Sequence, residues 1–216
     1  MDGLIQTLLL AILPVMFAIT LHEAAHGYAA RHFGDLTAYQ AGRISLNPLR
    51  HIDPIGTVVL PGALLLLGAG FVFGWAKPVP VDFSRLRNPK RDMLWVAGAG
   101  PASNLLMAFG WALLLKAAWM MPDNAYTLPL SEMSKIGISW NVSLLVLNLL
   151  PLPPLDGGRI VVSLLPHRAA WRFAQLEPWG FPILLLLLFT DVLGMVMKPL
   201  AWLVLSLIGL IFQLPG

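Results

Sequence analysis

Apolar positions in this chain fall into long unbroken stretches rather than the alternating or one-face patterns of water-soluble strands and helices. The first, Leu4 to about Phe33, has the length of a full bilayer crossing, with Pro14 placed to kink it and Gly34-Asp35 closing it. A second runs from Ile55 to Phe73, a third from Met93 to just before Pro122, a fourth from about Ile136 to Leu150, and an apolar tail fills Phe181 to Leu214. After the second run, Gly74-Trp-Ala-Lys-Pro-Val-Pro-Val-Asp82 cannot form a regular helix, because two prolines interrupt it. Extended, such a segment reaches about 30 Å, so residues 55–82 are expected to run down as a helix and return as extended chain. Extended backbone at that depth must be buried in protein or line a wet cavity.

The pattern predicts one all-α polytopic membrane domain over residues 1–216, with about six transmembrane helical segments and one short membrane-embedded extended element. Its expected parts are a first helix over 4–33, a re-entrant region over 55–82, helices over 93–121 and 136–152, a proline-made break at 148–158, and C-terminal helices over 160–214.

Composition supports the membrane and removes other options. Of 216 residues, 57% are apolar and 12% charged, against about 25% charged in soluble domains. The absence of cysteine excludes disulfides and thiolate metal sites, so any zinc has to be held by His, Asp or Glu. A formal charge of +3 would suit nucleic acid in a soluble protein; here it reports topology, and no nucleic-acid partner is expected. Basic residues cluster at Arg31, Arg43 and Arg50, at Arg85, Arg87, Lys90 and Arg91, and at Arg159, Arg168 and Arg172. The positive-inside rule places all three clusters in the cytoplasm, and Met1 and the loop Pro122 to Lys135 outside. Met1-Asp2-Gly3 lacks the basic start of a signal peptide, so the first segment is expected to be retained.

Within the first run stands His22-Glu23-Ala24-Ala25-His26. Histidines at i and i+4 share one helix face and can ligate one metal ion, while Glu23, one step round, can activate a water for attack. With so few His and Glu in the chain, a chance match is expected about 0.002 times. An ionisable group in an apolar helix is also costly, about 2.5–3.5 kcal/mol on insertion scales, and functional by default. Counted from Leu4, the pair lies about 27–33 Å along the helix, near the far edge of the core. With Met1 outside, this places the site toward the cytoplasmic face.

A catalytic zinc takes three protein ligands and keeps one open position. The third ligand sought here is Asp156, which ends Asn148-Leu-Leu-Pro-Leu-Pro-Pro-Leu-Asp156 beside basic Arg159 and should arrive at the depth of His26. As an isolated Asp-Gly it would read as a helix cap or turn; the missing ligand favours coordination.

A helix-borne H-E-x-x-H followed more than 100 residues later by N-x-x-P-x-P-x-L-D-G resembles the site-2 protease family of intramembrane zinc metalloproteases. Gly98-Ala-Gly-Pro-Ala-Ser-Asn104 resembles that family's small-residue segment, and Gly74 to Asp82 sits where the family has membrane-embedded β structure. Without a PDZ or CBS module, the resemblance is to a minimal, core-only member. It implies one Zn²⁺ held by His22, His26 and Asp156, with Glu23 as general base. It also implies that Asn148 holds substrate backbone or stabilises the oxyanion, a role set against a plain interhelical hydrogen bond. The implied partners are a transmembrane protein substrate and the lipid bilayer.

Other residues read more plainly. Gly98 and Ala102 form a small-xxx-small pair suited to close helix packing, and Asn104 is expected to bond a neighbouring helix. His51 and Asp53, between prolines, predict a structured turn, His32 and His167 solvated positions, and Asp191 a turn in the apolar tail. Trp75 and the extended edge beside it are expected to pair with an unwound substrate segment by strand addition. The function that follows is intramembrane endopeptidase, cutting transmembrane segments near the cytoplasmic face. The rivals are a metal transporter or non-proteolytic sensor built on the same ligands, and an inactive relative that only binds client helices.

Overall fold

The computed structural model describes residues 2–67, 74–122 and 124–214, so part of the expected return of the second run, 68–73, lies outside the described residues. Among the described residues every regular element is helical and no strand is assigned. The helices are α1 (Asp2–His32), α2 (Thr37–Gln40), α3 (Leu60–Leu66, preceded by a wide-turned stretch Pro54–Val59), α4 (Pro89–Met120) and α5 (Thr127–Leu149). They continue with α6 (Asp156–Leu164), α7 (His167–Ala174), α8 (Glu177–Phe189) and α9 (Val192–Phe212).

Three helices among the described residues, α1, α4 and α9, are long and apolar enough to cross a membrane, with mean hydropathies of 2.0, 1.3 and 2.1 over their apolar spans. The expectation of about six spans exceeds this number. α3 has 7 residues and α8 has 13, and even the longer rises only about 20 Å. α5, with 23 residues, has the length but carries Glu132, Lys135, Asn141 and Asn148.

Side chains are sorted the opposite way from a water-soluble core. Ala18, Ala30, Ala38, Ala108, Ala112 and Ala118 are fully enclosed, whereas Leu9, Ile12, Leu106, Leu113, Leu203 and Leu210 face outward. Lipid tails are as apolar as leucine, so helices in a bilayer associate through small residues that permit close backbone approach, and leave large ones to the lipid. α9 is the extreme case, with 6% of its apolar span buried.

At the centre α4 runs antiparallel to α5, pairing Trp111 with Gly137 and Asn104 with Asn141. Ala108, Trp111, Ala112 and Leu115 pack there against Ile138, Val142 and Val146, and α9 closes the cluster with Ile208. A Cβ on Gly137 would stand 2.5 Å from Trp111 Cγ. Gly137→Ala is therefore expected to destabilise the bundle by about 1–3 kcal/mol through overpacking, read as a lower unfolding temperature in detergent.

The second and third basic clusters meet at one end of the bundle, where α1 finishes at Arg31 and His32 and α4 begins. Arg87 donates to the His32 carbonyl, Lys90 to the Leu165 carbonyl, and the Arg159 guanidinium lies 4.8 Å over the Phe83 ring and 3.5 Å from Glu177. α5 starts at Thr127 rather than Ile136, because Glu132 and Lys135 pair at 2.8 Å on its exposed side instead of ending the helix.

Candidate metal centre

His22 and His26 stand one turn apart on α1, their rings edge to face with centroids 4.7 Å apart. His26 Nδ1 donates to the Val96 carbonyl at 2.7 Å, and a carbonyl can only accept. His22 Nδ1 meets Asn104 Oδ1 at 2.6 Å. The Nδ2 of that amide donates to Ala18 O at 3.2 Å and to Asn141 Oδ1 at 3.0 Å, so its oxygen end faces the imidazole. Both histidines thus carry a proton on Nδ1, and as neutral rings present Nε2 lone pairs 3.1 Å apart.

The third atom comes from the proline-rich break. Pro151 to Leu155 ends α5 and delivers Asp156 as the first residue of α6, with its Oδ2 at 3.3 Å from both Nε2 atoms. That oxygen is buried without a hydrogen-bond partner. Three lone-pair-bearing atoms at 3.1–3.3 Å repel one another unless a proton or a metal ion lies among them. For tetrahedral coordination at about 2.0 Å, ligand atoms are separated by about 3.3 Å. His22, His26 and Asp156 therefore fit a zinc ion in both donor chemistry and spacing. Gly100 makes room for the cluster: a Cβ there would lie 2.6 Å from His22 Cε1 and 2.7 Å from His22 Nε2, with His26 Nε2 closer still.

Glu23 is half-buried, and its Oε2 accepts the Val79 N–H at 2.8 Å. Val79 belongs to the segment 74–82, which has no helix or strand assigned and bonds to its neighbours at alternate residues, Trp75, Lys77 and Val79. Trp75 N–H bonds Gly56 O at 3.0 Å and Lys77 N–H bonds His51 O at 2.9 Å, while Trp75 O accepts from Thr57 and Lys77 O from Arg43. The return to the level of Gly56 is complete at Trp75, so this segment runs beside 51–57 and onto Glu23. Trp75 is 41% exposed, and its ring meets Phe181 of α8 at 6.0 Å.

The remaining residues singled out in the sequence make bonds of their own. Asn148 uses its Nδ2 on the Leu144 carbonyl, one turn back in α5, at 3.0 Å. Asp53 caps the Pro54–Val59 stretch through Ile55 N–H and Gly56 N–H, and buried His51 bonds Ser45 O at 2.8 Å, the turn that their prolines predict. His32 and His167 are exposed, and Asp191 takes a left-handed conformation between α8 and α9. The small-xxx-small expectation misses by half a turn: no neighbour approaches Gly98, Ala102 is exposed, and the close approach is at Gly100. Asn104 does more than the expected helix bonding, since it reaches a histidine of the cluster. Its signal in the sequence was a polar amide inside an apolar run.

Residues 118–190 match the family described as Peptidase family M50. The chain is 40% identical over 192 residues to YwhC of Bacillus subtilis (strain 168), covering 88% of this chain and 84% of that protein. It is 32% identical over 186 residues to Rip2 of Mycolicibacterium smegmatis (strain ATCC 700084 / mc(2)155), covering 86% of this chain and 69% of that one. Both relatives carry the name "Putative zinc metalloprotease". No solved structure gives a significant match. With a relative this similar along most of its length, and with ligands spaced for zinc, the chain belongs to peptidase family M50, the site-2 protease family of zinc metalloproteases.

Proposed function

We propose that this metalloprotease is an intramembrane endopeptidase that holds one zinc ion on His22, His26 and Asp156 and cuts transmembrane segments of other membrane proteins near the cytoplasmic face. The observation that carries it is the buried, unpartnered Asp156 Oδ2 facing two bare imidazole nitrogens, one helical step from Glu23. Residues 1–216 act as one domain, with α5 adding a crossing to α1, α4 and α9. Met1 lies outside, and the basic end of the bundle faces the cytoplasm.

A zinc ion at this cluster supplies Lewis-acid polarisation of the scissile carbonyl and acidifies the attacking water. Glu23 takes the proton of that water as the C–O bond forms, and returns it to the leaving amine as the C–N bond breaks. Its Oε2 is fixed by Val79, which leaves Oε1 for the proton. The segment 74–82, with Trp75, lines the substrate side and receives an unwound stretch of substrate chain. Asn148 exchanges its Leu144 bond for the substrate backbone or the developing oxyanion, a contact of about 10²–10³ in rate where such donors have been removed.

Reconstituted in vesicles with a panel of single-span membrane proteins, the zinc-loaded chain is expected to produce fragments that vanish on chelation and return with added zinc. Metal movement across the vesicle wall with no fragment from any substrate would make the chain a transporter and overturn the reading.

A further inference from the structure

Two asparagines stand fully enclosed between the centre of the bundle and the metal cluster. Asn104 on α4 and Asn141 on α5 are each 0% exposed. Amides at such positions are expensive unless every strong hydrogen-bonding group is matched, and here the matching has a direction. Asn141 Nδ2 donates to the Gly137 carbonyl at 2.8 Å. Its Oδ1 is thereby turned toward Asn104, whose Nδ2 donates to it at 3.0 Å and to the Ala18 carbonyl at 3.2 Å. The Oδ1 of Asn104 is then the only end that can face His22, and it takes the Nδ1 proton at 2.6 Å. Both ends of the chain rest on main-chain carbonyls, which cannot donate, so neither amide can flip without setting two acceptors or two donors face to face.

We propose that Asn141 and Asn104 form a two-amide relay that holds His22 with its proton on Nδ1 and its Nε2 lone pair turned to the metal, making both asparagines positioning residues for zinc. The inference rests on the zinc reading above. His26 needs no such device, because Val96 offers it a carbonyl directly. His22 is the ligand whose neighbouring acceptor is a reversible side-chain amide, and the Ala18 carbonyl and Asn141 Oδ1 together decide which end it shows. Outer partners of metal-ligating histidines commonly set affinity by 10–100-fold, and here that control extends across two helices.

A carboxylate at position 104 would show an oxygen to His22 whichever way it turned, so the imidazole needs no orienting partner; its other oxygen then faces the acceptors Ala18 O and Asn141 Oδ1, a cost that thermal unfolding reads apart from zinc affinity. The test uses the full chain in detergent, with zinc affinity read by competition against a chelator of known strength and the fold by thermal unfolding. Asn104→Leu, which removes the acceptor, is expected to weaken zinc about 10–100-fold, and Asn141→Leu by about 2–10-fold, the worth of one net hydrogen bond. Asn104→Asp is expected to stay within about threefold of wild type, and in its background Asn141→Leu should have no further effect on affinity. A role limited to holding α4 on α5 predicts otherwise: Asn104→Asp would behave like Asn104→Leu, and Asn141→Leu would cost the same in both backgrounds. Either result overturns the relay, as does wild-type zinc affinity in a folded Asn104→Leu variant. Failure of wild type itself to bind zinc overturns the metal reading, and the relay with it, which separates the two failures.

Discussion

Gly100→Ala is expected to abolish stoichiometric zinc binding and, with it, proteolysis, while leaving the bundle folded. The added methyl would enter the space between His22 and His26, 2.7 Å from His22 Nε2. Neither ring can retreat easily, since each is tied through Nδ1 to α4, at Asn104 and Val96. Alanine is favoured over glycine in a helix by up to about 1 kcal/mol, so secondary structure resists the change less than the cluster does. A loss of at least about 100-fold in zinc affinity follows, the upper end of what displacement of outer partners alone produces. Metal content of the purified protein and its thermal unfolding measure the two halves of the expectation. Gly98→Ala serves as the internal control, because nothing approaches that position. Full zinc occupancy in a folded Gly100→Ala variant would show that the ion is held elsewhere.

Glu23→Gln should separate binding from chemistry. The amide oxygen of glutamine can still accept the Val79 N–H that now meets Glu23 Oε2 at 2.8 Å, so the extended segment keeps its anchor. The ligands are untouched, and zinc content should equal that of wild type. What disappears is the base: removing a positioned proton acceptor costs about 10²–10⁴ in rate. Fragment formation in zinc-loaded vesicles, compared at matched protein levels, reads the difference. Cleavage at the wild-type rate by a zinc-replete Glu23→Gln protein would mean that another group takes the proton, and the assignment of Glu23 would fall.

The ligand set was legible because its spacing is local. His22 and His26 declare a shared face by their four-residue separation, and Asp156 follows from a triple-proline break beside a basic residue in a chain with no cysteine. The helix phase of α4 was not legible. Small residues at 98, 99, 100 and 102 supply several faces for close approach, and only the partner across the gap selects Gly100. The relay through Asn104 and Asn141 pairs residues 82 and 37 positions apart, and no periodicity within one helix encodes such a pairing. The onset of α5 was misplaced for a simpler reason: two opposite charges look like a loop until they are seen to pair on a helix surface. The expected number of crossings overran what the described helices support because apolar content was counted without the length at which each element stops. α8 ends after 13 residues in the turn at Asp191.

The hydrogen bonds of residues 74–80 have one more consequence. Extended chain points successive residues to opposite edges, and the inner edge is occupied through Trp75, Lys77 and Val79. Ala76, Pro78 and Pro80 alternate with them and offer a single amide hydrogen, from Ala76, with carbonyls of which that of Pro78 already accepts from Arg43 at 3.3 Å. Such an edge cannot zip to a copy of itself, since both sides would bring acceptors. In the proposed strand addition it would act as a one-way socket, open to a visiting chain that supplies the hydrogens, and least hospitable to one whose own prolines fall opposite those carbonyls.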